Sequence, residues 1–401
     1  MLLSTPRLVI AGLSGDSGKT LVALGLARAL RGRGLRIAPF KKGPDYIDAA
    51  WLGAAAGLPG RHLDTYLMPP AALGEALRRG SGADLLLVEG NRGLFDGLDA
   101  EGTHSTAELA KSLAAPVVLV VDVTKMTRTA AALVAGCRRL DPEVDLAGVV
   151  LNRVGTARQE RVIREALRLS SGPPVLGAVP RIDDDPLPGR HLGLVTVAEH
   201  PRWHEAVERA ARLIEARLDL DAVIDTARTA ETTTFPDRAA VPRGPAVRVG
   251  VFRDEALSFY YTENLEALEE AGADLVSVSP LHGQVLPDVD ALYFGGGFPE
   301  VHVERLAENR AMRKAVRRAA GQGMPVYAEC GGLMFLAREL VVEGASYPMT
   351  GVLDLVVEQT PRPQGHGYVD AEADRANPLF ESGSRLRGHE FHYSRVVAGE
   401  D

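Results

Sequence analysis

The tightest constraint on the fold is a short stretch near the start. An apolar run at residues 8–11 feeds the glycine-rich segment AGLSGDSGKT, which opens directly into an amphipathic stretch at 19–31. In that stretch Leu21, Leu24, Ala27 and Leu30 recur near a 3.6-residue period, as one face of a helix requires. Strand, glycine loop and helix in this order predict backbone N–H groups bared at a helix start, where phosphate oxygens bind. Continuous apolar runs recur at 84–88, 117–121, 147–151 and 175–179. Runs without alternation suit strands covered on both faces, hence a parallel sheet flanked by helices.

Residues 226–245 break this rhythm. They are rich in Thr, Ala, Pro and Arg, include Pro236, Pro242 and Pro245, and lack an apolar period. Such stretches join domains. The strand–helix pattern then restarts at 248–252, 274–278, 291–294 and 324–328. The expected organisation is α/β with two domains, residues 1–225 and 246–401, around a linker at 226–245. Each domain is an open, mostly parallel sheet with ligands beyond the carboxyl ends of its strands. A chain of 401 residues suits two cores.

Composition removes several classes. A net charge of −8 argues against nucleic-acid binding, which needs a basic surface. Cys137 and Cys330 are the two cysteines, far apart and outside any metal-binding spacing, which fits a reducing cytoplasm. No apolar run approaches the ~18 residues of a membrane span. Arg7 interrupts the first apolar run, against a signal peptide. The expectation is a cytoplasmic protein that binds neither nucleic acid nor membrane.

In the glycine loop, Gly12, Ser14, Gly15, Asp16, Ser17 and Gly18 would wrap ATP phosphates. Lys19 would lie along the terminal ones, and the Thr20 hydroxyl would ligate Mg²⁺. The strict pattern wants glycine where Leu13 stands; Gly12 sits one residue earlier, so the loop resembles the longer one of dethiobiotin synthetase and its relatives. Glu89 closes the strand at 84–88 and would supply a hard oxygen to the metal. Asp16 is either a second such ligand or a solvated loop acid. Two clusters, KKGPDYID at 41–48 and EGNRGLFDG at 89–97, gather acids and lysines at strand ends. Alone each could be a charged turn; beside the phosphate loop they read as a site for metal, ATP and an acidic substrate. Asn152, ending the strand at 147–151, would either read an adenine edge or form a turn.

The second half carries MPVYAECGG at 324–332, an apolar run ending in Cys330 between Glu329 and Gly331 and expected to continue as a helix at 333–340. This is the pattern of a nucleophile elbow. A free thiol ionises near ~8.5, so a nucleophilic cysteine needs a base such as a histidine. Histidines gather in RGHEFHYS at 387–394, and YFGGGFPE at 293–300 supplies glycine N–H groups for an oxyanion hole. Cys137, inside the helical AALVAGCRRL, reads as a buried apolar residue.

These stretches, with KKGPDYIDAAW, LLLVEGNRGLFDG, VVLVVDVTKMTRTAAALVAG, GVVLNRVG, GRHLGLV, YAECGGLMFL and GHEFHYS, resemble the cobyrinic acid a,c-diamide synthase family over nearly the whole chain. The resemblance implies a dethiobiotin-synthetase-like P-loop ATPase domain followed by a class I glutaminase-like domain. It implies ATP- and glutamine-dependent amidation of the a- and c-carboxylates of cobyrinate through acyl phosphates, in cobalamin biosynthesis. Close relatives act on hydrogenobyrinate or nickel sirohydrochlorin, which stay open as substrates; a regulatory ATPase switch is the competing class.

Cys330 matches the family's nucleophile and His392 its activating histidine. Gly296, Gly297 and Gly331 are the glycines expected to form the oxyanion hole. Asp45, Asp48, Glu89 and Asp96 match family acids linked to metal and substrate handling; Lys42, Asp45, Tyr46, Asp48 and Asp96 are expected at the substrate, and Thr20, Glu89 and Asp45 at the metal. Expected ligands are ATP, Mg²⁺, L-glutamine and a cobyrinate-like tetrapyrrole, and a homodimer is allowed. Ordinary class I glutaminases carry Glu two residues after the histidine, where this chain has Ser394. The chain also ends nine residues after His392, earlier than such domains usually do.

Overall fold

The computed structural model describes residues 1–182, 187, 189–190, 193–377 and 379–399. His191 and Leu192 of the GRHLGLV stretch lie outside them. The chain forms two compact units, Met1–Ala239 and Ala240–Asp401.

In the first unit seven parallel strands run in the order Arg61–Leu63, Ile37–Lys42, Leu85–Gly93, Arg7–Gly12, Val117–Asp122, Leu146–Val154 and Val175–Pro180. Arg7–Gly12 and Ile37–Lys42 are buried along their whole length, because helices cover both faces of the sheet. Val9, Ala11, Leu86, Val88, Leu119, Val121 and Leu151 share one core. Each fully buried aliphatic side chain of this kind contributes about 1.5–3 kcal/mol. From Arg7–Gly12 the chain moves first to one side of the sheet and later to the other. That reversal opens a crevice at the carboxyl end of the first strand, where the phosphate loop lies. Strands 37–42 and 61–63 escape the sequence pattern, since IAPFKK ends in two lysines and RHL is too short to show a run.

The expected linker begins later than residue 226. Helix Leu220–Arg228 crosses that boundary. Thr233 and Thr234 pair with Leu3 and Leu2, and Phe235 is buried in the first core. Polar composition hid a segment that is tied down by a short ladder and one aromatic anchor.

The second unit holds four parallel strands in the order Ala273–Val278, Val247–Phe252, Ala291–Phe294 and Val326–Ala328. Phe252, Phe294 and Phe335 are central to its core. The expected helix at 333–340 is Gly331–Leu336, followed by a strand at Glu339–Val342. Val341 and Val342 favour extended backbone, and Gly344 turns the chain back into Ala345–Pro348. An antiparallel pair, Gly365–Glu372 with Arg385–His392, carries the histidine cluster. Among the described residues no helix is long and apolar enough to cross a membrane.

Candidate active sites

The helix Lys19–Gly32 starts from Gly18, whose φ of 91° places it in the left-handed region. A Cβ there would also stand 2.1 Å from the Asn152 amide nitrogen. Asn152 Nδ2 donates to the carbonyl of Ser17 at 2.8 Å, and its Oδ1 accepts from Arg153 N at 2.9 Å. Asn152 therefore holds the loop from the neighbouring strand end, and both ends of its amide bond to protein. The Ser17 hydroxyl is buried without a hydrogen-bond partner among the described residues. Asp16 is exposed with φ 53°, and the Ser14 hydroxyl donates to the carbonyl of Gly15.

Beneath the loop lies a charged cluster. Parallel pairing sets Glu89 level with Ile10 on one side and Lys41 on the other. Lys41 Nζ donates to Glu89 Oε1 at 2.9 Å and to Asp48 Oδ2 at 2.6 Å. The Thr20 hydroxyl donates to the same Glu89 oxygen at 2.7 Å. Glu89 is fully buried, and its Oε2 has no hydrogen-bond partner among the described residues. Burial, and then the charge of Asp48, push the Glu89 carboxyl up, although Lys41 works the other way. Burial acts against the charge of Lys41, but Asp48 and Glu89 overcome it and hold the ammonium well above the usual lysine range. Lys19 is nearly buried and pushed down, by burial first and then by Lys41. Burial likewise lowers Lys42.

Asp45 caps the helix Tyr46–Ala56, its Oδ1 accepting from Ile47 N at 2.9 Å and Asp48 N at 3.0 Å. The cap aims the first turn, which carries Asp48, at Lys41. Burial and Asp48 push the Asp45 carboxyl up. Tyr46 meets the His62 ring edge-on at 6.2 Å. Asp96 is exposed and closes its own turn, accepting from Gly93 N at 2.8 Å. The structure thus joins Lys19, Thr20, Asp45, Asp48 and Glu89 into one network and leaves Asp96 at its rim. Lys41, not the expected Lys42, is the hub; alternation along a strand ending at a carboxylate-rich crevice is the signal that separates them.

A buried carboxylate oxygen without a partner, a hydroxyl beside it and a phosphate loop above form a donor set that fits Mg²⁺. That ion takes one or two protein oxygens and completes its shell from phosphates and water. Asp45 fits less well, since one of its oxygens is committed to the helix cap.

In the second unit Cys330 follows the strand Val326–Ala328 with φ 50° and ψ −114°. Glu329 N donates to the Phe294 carbonyl at 3.1 Å and Gly332 N to the Glu329 carbonyl at 2.9 Å, closing a tight turn that projects the thiol. A side chain held in this region costs about 1–3 kcal/mol, and such strain concentrates at reactive positions. The backbone amides of Gly331 and Gly297 act on the Cys330 thiol in the direction that favours its thiolate. A Cβ on Gly296 would stand 3.3 Å from that of Cys330. The three glycines and the cysteine are therefore together. The Gly296 carbonyl is taken by Phe259 N at 3.0 Å.

Cys330 keeps an exposed face. Even so, desolvation by the packed loops, then Glu300 and Glu329, push its thiol up against the pull of the two amides. Glu329 accepts from the hydroxyls of Tyr293 at 3.2 Å and Tyr327 at 3.4 Å, and burial raises its carboxyl. This acid beside the thiol went unassigned in the sequence. Among the described residues no hydrogen bond joins Cys330 to His392. His392 Nδ1 lies 2.8 Å from the Ser394 carbonyl, and its Nε2 is 3.9 Å from Glu390 Oε2. Cys137 is buried and its thiol is raised by burial, as its apolar reading expects.

Residues 8–194 match the CobQ/CobB/MinD/ParA nucleotide binding domain, and residues 248–401 match the CobB/CobQ-like glutamine amidotransferase domain. Similar curated proteins include the cobyrinate a,c-diamide synthase of Magnetococcus marinus, 44% identical over 399 residues, covering 98% of this chain and 85% of that one. The enzyme of the same name from Syntrophotalea carbinolica is 43% identical over 401 residues, 99% of this chain and 87% of that one. The one from Methanothermobacter thermautotrophicus is 42% identical over 397 residues, 98% and 88% respectively.

Proposed function

As the chain belongs to the cobyrinate a,c-diamide synthase family, whose members are glutamine amidotransferase ligases, we propose that it amidates the a- and c-carboxylates of cobyrinate with ATP and glutamine. The observation that carries this reading is Cys330, strained at a strand–helix turn with Gly296, Gly297 and Gly331 packed around it. A regulatory ATPase switch has no use for such a centre.

A carboxylate resists substitution because its leaving group would be oxide. In the first unit a carboxylate oxygen of the substrate attacks the γ-phosphorus of ATP, and ADP leaves. Lys19 and the loop amides receive the charge on the phosphate oxygens. Mg²⁺, held by Thr20 and Glu89, supplies further charge neutralisation when bound. Lys41 keeps Glu89 and Asp48 fixed in place, while Lys42 offers a cation to an acidic substrate.

In the second unit the Cys330 thiolate attacks the amide carbon of glutamine. The N–H groups of Gly297 and Gly331 stabilise the oxyanion, and ammonia leaves. Water then cleaves the thioester to glutamate. His392 serves as the base that takes the thiol proton and returns it to the leaving nitrogen. Ammonia attacks the acyl phosphate carbon, phosphate departs, and an amide remains.

The purified protein with ATP, Mg²⁺, glutamine and cobyrinate should give mono- and then diamide by mass spectrometry. Cys330→Ala should lose glutamine-supported amidation and keep ammonia-supported amidation, whereas Lys19→Ala should lose both. Loss of both activities in a folded Cys330→Ala protein would refute this division of labour.

A further inference from the structure

His392 ends its strand directly opposite Gly365 in the antiparallel ladder. Its Nδ1 lies 2.8 Å from the main-chain oxygen of Ser394. A carbonyl oxygen can only accept, so a neutral ring in this place carries its proton on Nδ1 and leaves the Nε2 lone pair free. Across the ladder, a Cβ at Gly365 would stand 2.5 Å from His392 Nε2 and 2.3 Å from Glu390 Oε2. Any larger residue at 365 would push the ring out of its seat. Two backbone features therefore fix the imidazole: an acceptor that sets the tautomer and a bare position that sets where the ring lies.

Ser394 stands where ordinary class I glutaminases place the glutamate that orients their histidine. We propose that the Ser394 main-chain carbonyl takes over that positioning role, with Gly365 as the seat of the ring. The inference rests on the reading of His392 as the base for Cys330. It accounts for a working base without a third side chain. A main-chain acceptor is set by the fold, so the hydrogen bond depends on where the chain turns after His392 rather than on the side chain at 394.

The test uses the full chain labelled with ¹⁵N-histidine, with the His392 resonances assigned by their loss in His392→Gln. The expected result is a neutral ring protonated on Nδ1; a ring protonated on Nε2 overturns the proposal. Gly365→Ala should abolish that tautomer signature. It should also lower kcat for glutamine by roughly 100-fold, the scale of a lost general base, with ammonia-supported amidation intact. A folded Gly365→Ala protein that keeps both the tautomer and glutamine turnover would overturn the role of the glycine. Glutamine turnover surviving in Cys330→Ala would instead sink the underlying reading and leave the tautomer result standing.

Discussion

Lys41 Nζ lies 2.9 Å from Glu89 Oε1, with Lys41 2% and Glu89 0% exposed. An ion pair so far from water is held by its partners: Asp48 accepts a second N–H of the ammonium, and Thr20 donates to the same Glu89 oxygen. Removing Lys41 leaves two carboxylates without their shared cation in a poorly solvated crevice.

Lys41→Met should therefore cost about 3–5 kcal/mol, the range for breaking a buried pair from one side. Urea denaturation of the variant measures it. A loss under ~1 kcal/mol would mean that water or a rearranged lysine reaches the carboxylates, and that Lys41 is no hub. Nucleotide affinity should fall as well, because Glu89 and Asp48 lose the cation that fixes them.

Asn152 gives a second prediction. Its amide donates to the Ser17 carbonyl at 2.8 Å and packs against Gly18. Asn152→Asp keeps the shape, removes the donor and sets a carboxylate against a carbonyl oxygen. The loop should lose about 1–3 kcal/mol of preorganisation, so the Kd for ATP rises roughly ten- to hundredfold. Calorimetric titration measures this, and an unchanged Kd would show that the loop holds its form without the tether.

Apart from strands 37–42 and 61–63, the parallel strands of both units were legible because strands covered on two faces must be written as unbroken apolar runs, as VVLVVD at 117–122 is. The phosphate loop and the cysteine elbow were legible because each needs glycine at fixed places. Three further features were hidden, each for a physical reason. Lys41 and Lys42 are neighbours of like chemistry, and strand alternation decides which one meets Glu89. Glu329 owes its setting to Tyr293 on an adjacent strand. The docked segment at 233–235 is held by a two-residue ladder and one aromatic ring, too little to stand out from a polar stretch.

Arg7 bears on that docked segment. Fully buried at the head of its strand, it donates through Nε to the Leu113 carbonyl at 2.5 Å, and otherwise to the carbonyls of Thr5, Ala114 and Glu231. Burial lowers its pKa, yet four acceptors keep the charge satisfied. Arg7→Met would strand these carbonyls and release residue 231, so stability should fall by about 3 kcal/mol or more. Proteolysis should open the 229–237 segment in the variant before the rest of the first unit. Equal resistance of the two proteins would show that Arg7 does not hold that segment.

The thiol of Cys330 gives a prediction in pH. Desolvation, Glu300 and Glu329 all favour its neutral form, and the amides of Gly331 and Gly297 only partly oppose them. A raised pKa means that the thiolate is scarcer at neutral pH than in a free cysteine, whose pKa is ~8.5. Without glutamine, alkylation of Cys330 by iodoacetamide should keep accelerating above that value instead of levelling off near it. Glu329→Gln removes one of the two negative charges and keeps an acceptor for the tyrosine hydroxyls, so the midpoint should move down. Each unit of that shift raises the rate at neutral pH by up to roughly tenfold. Mass spectrometry of the peptide carrying residue 330 follows the reaction free of Cys137. A midpoint below ~8.5 in the unaltered protein would mean that the two amides outweigh burial and both acids.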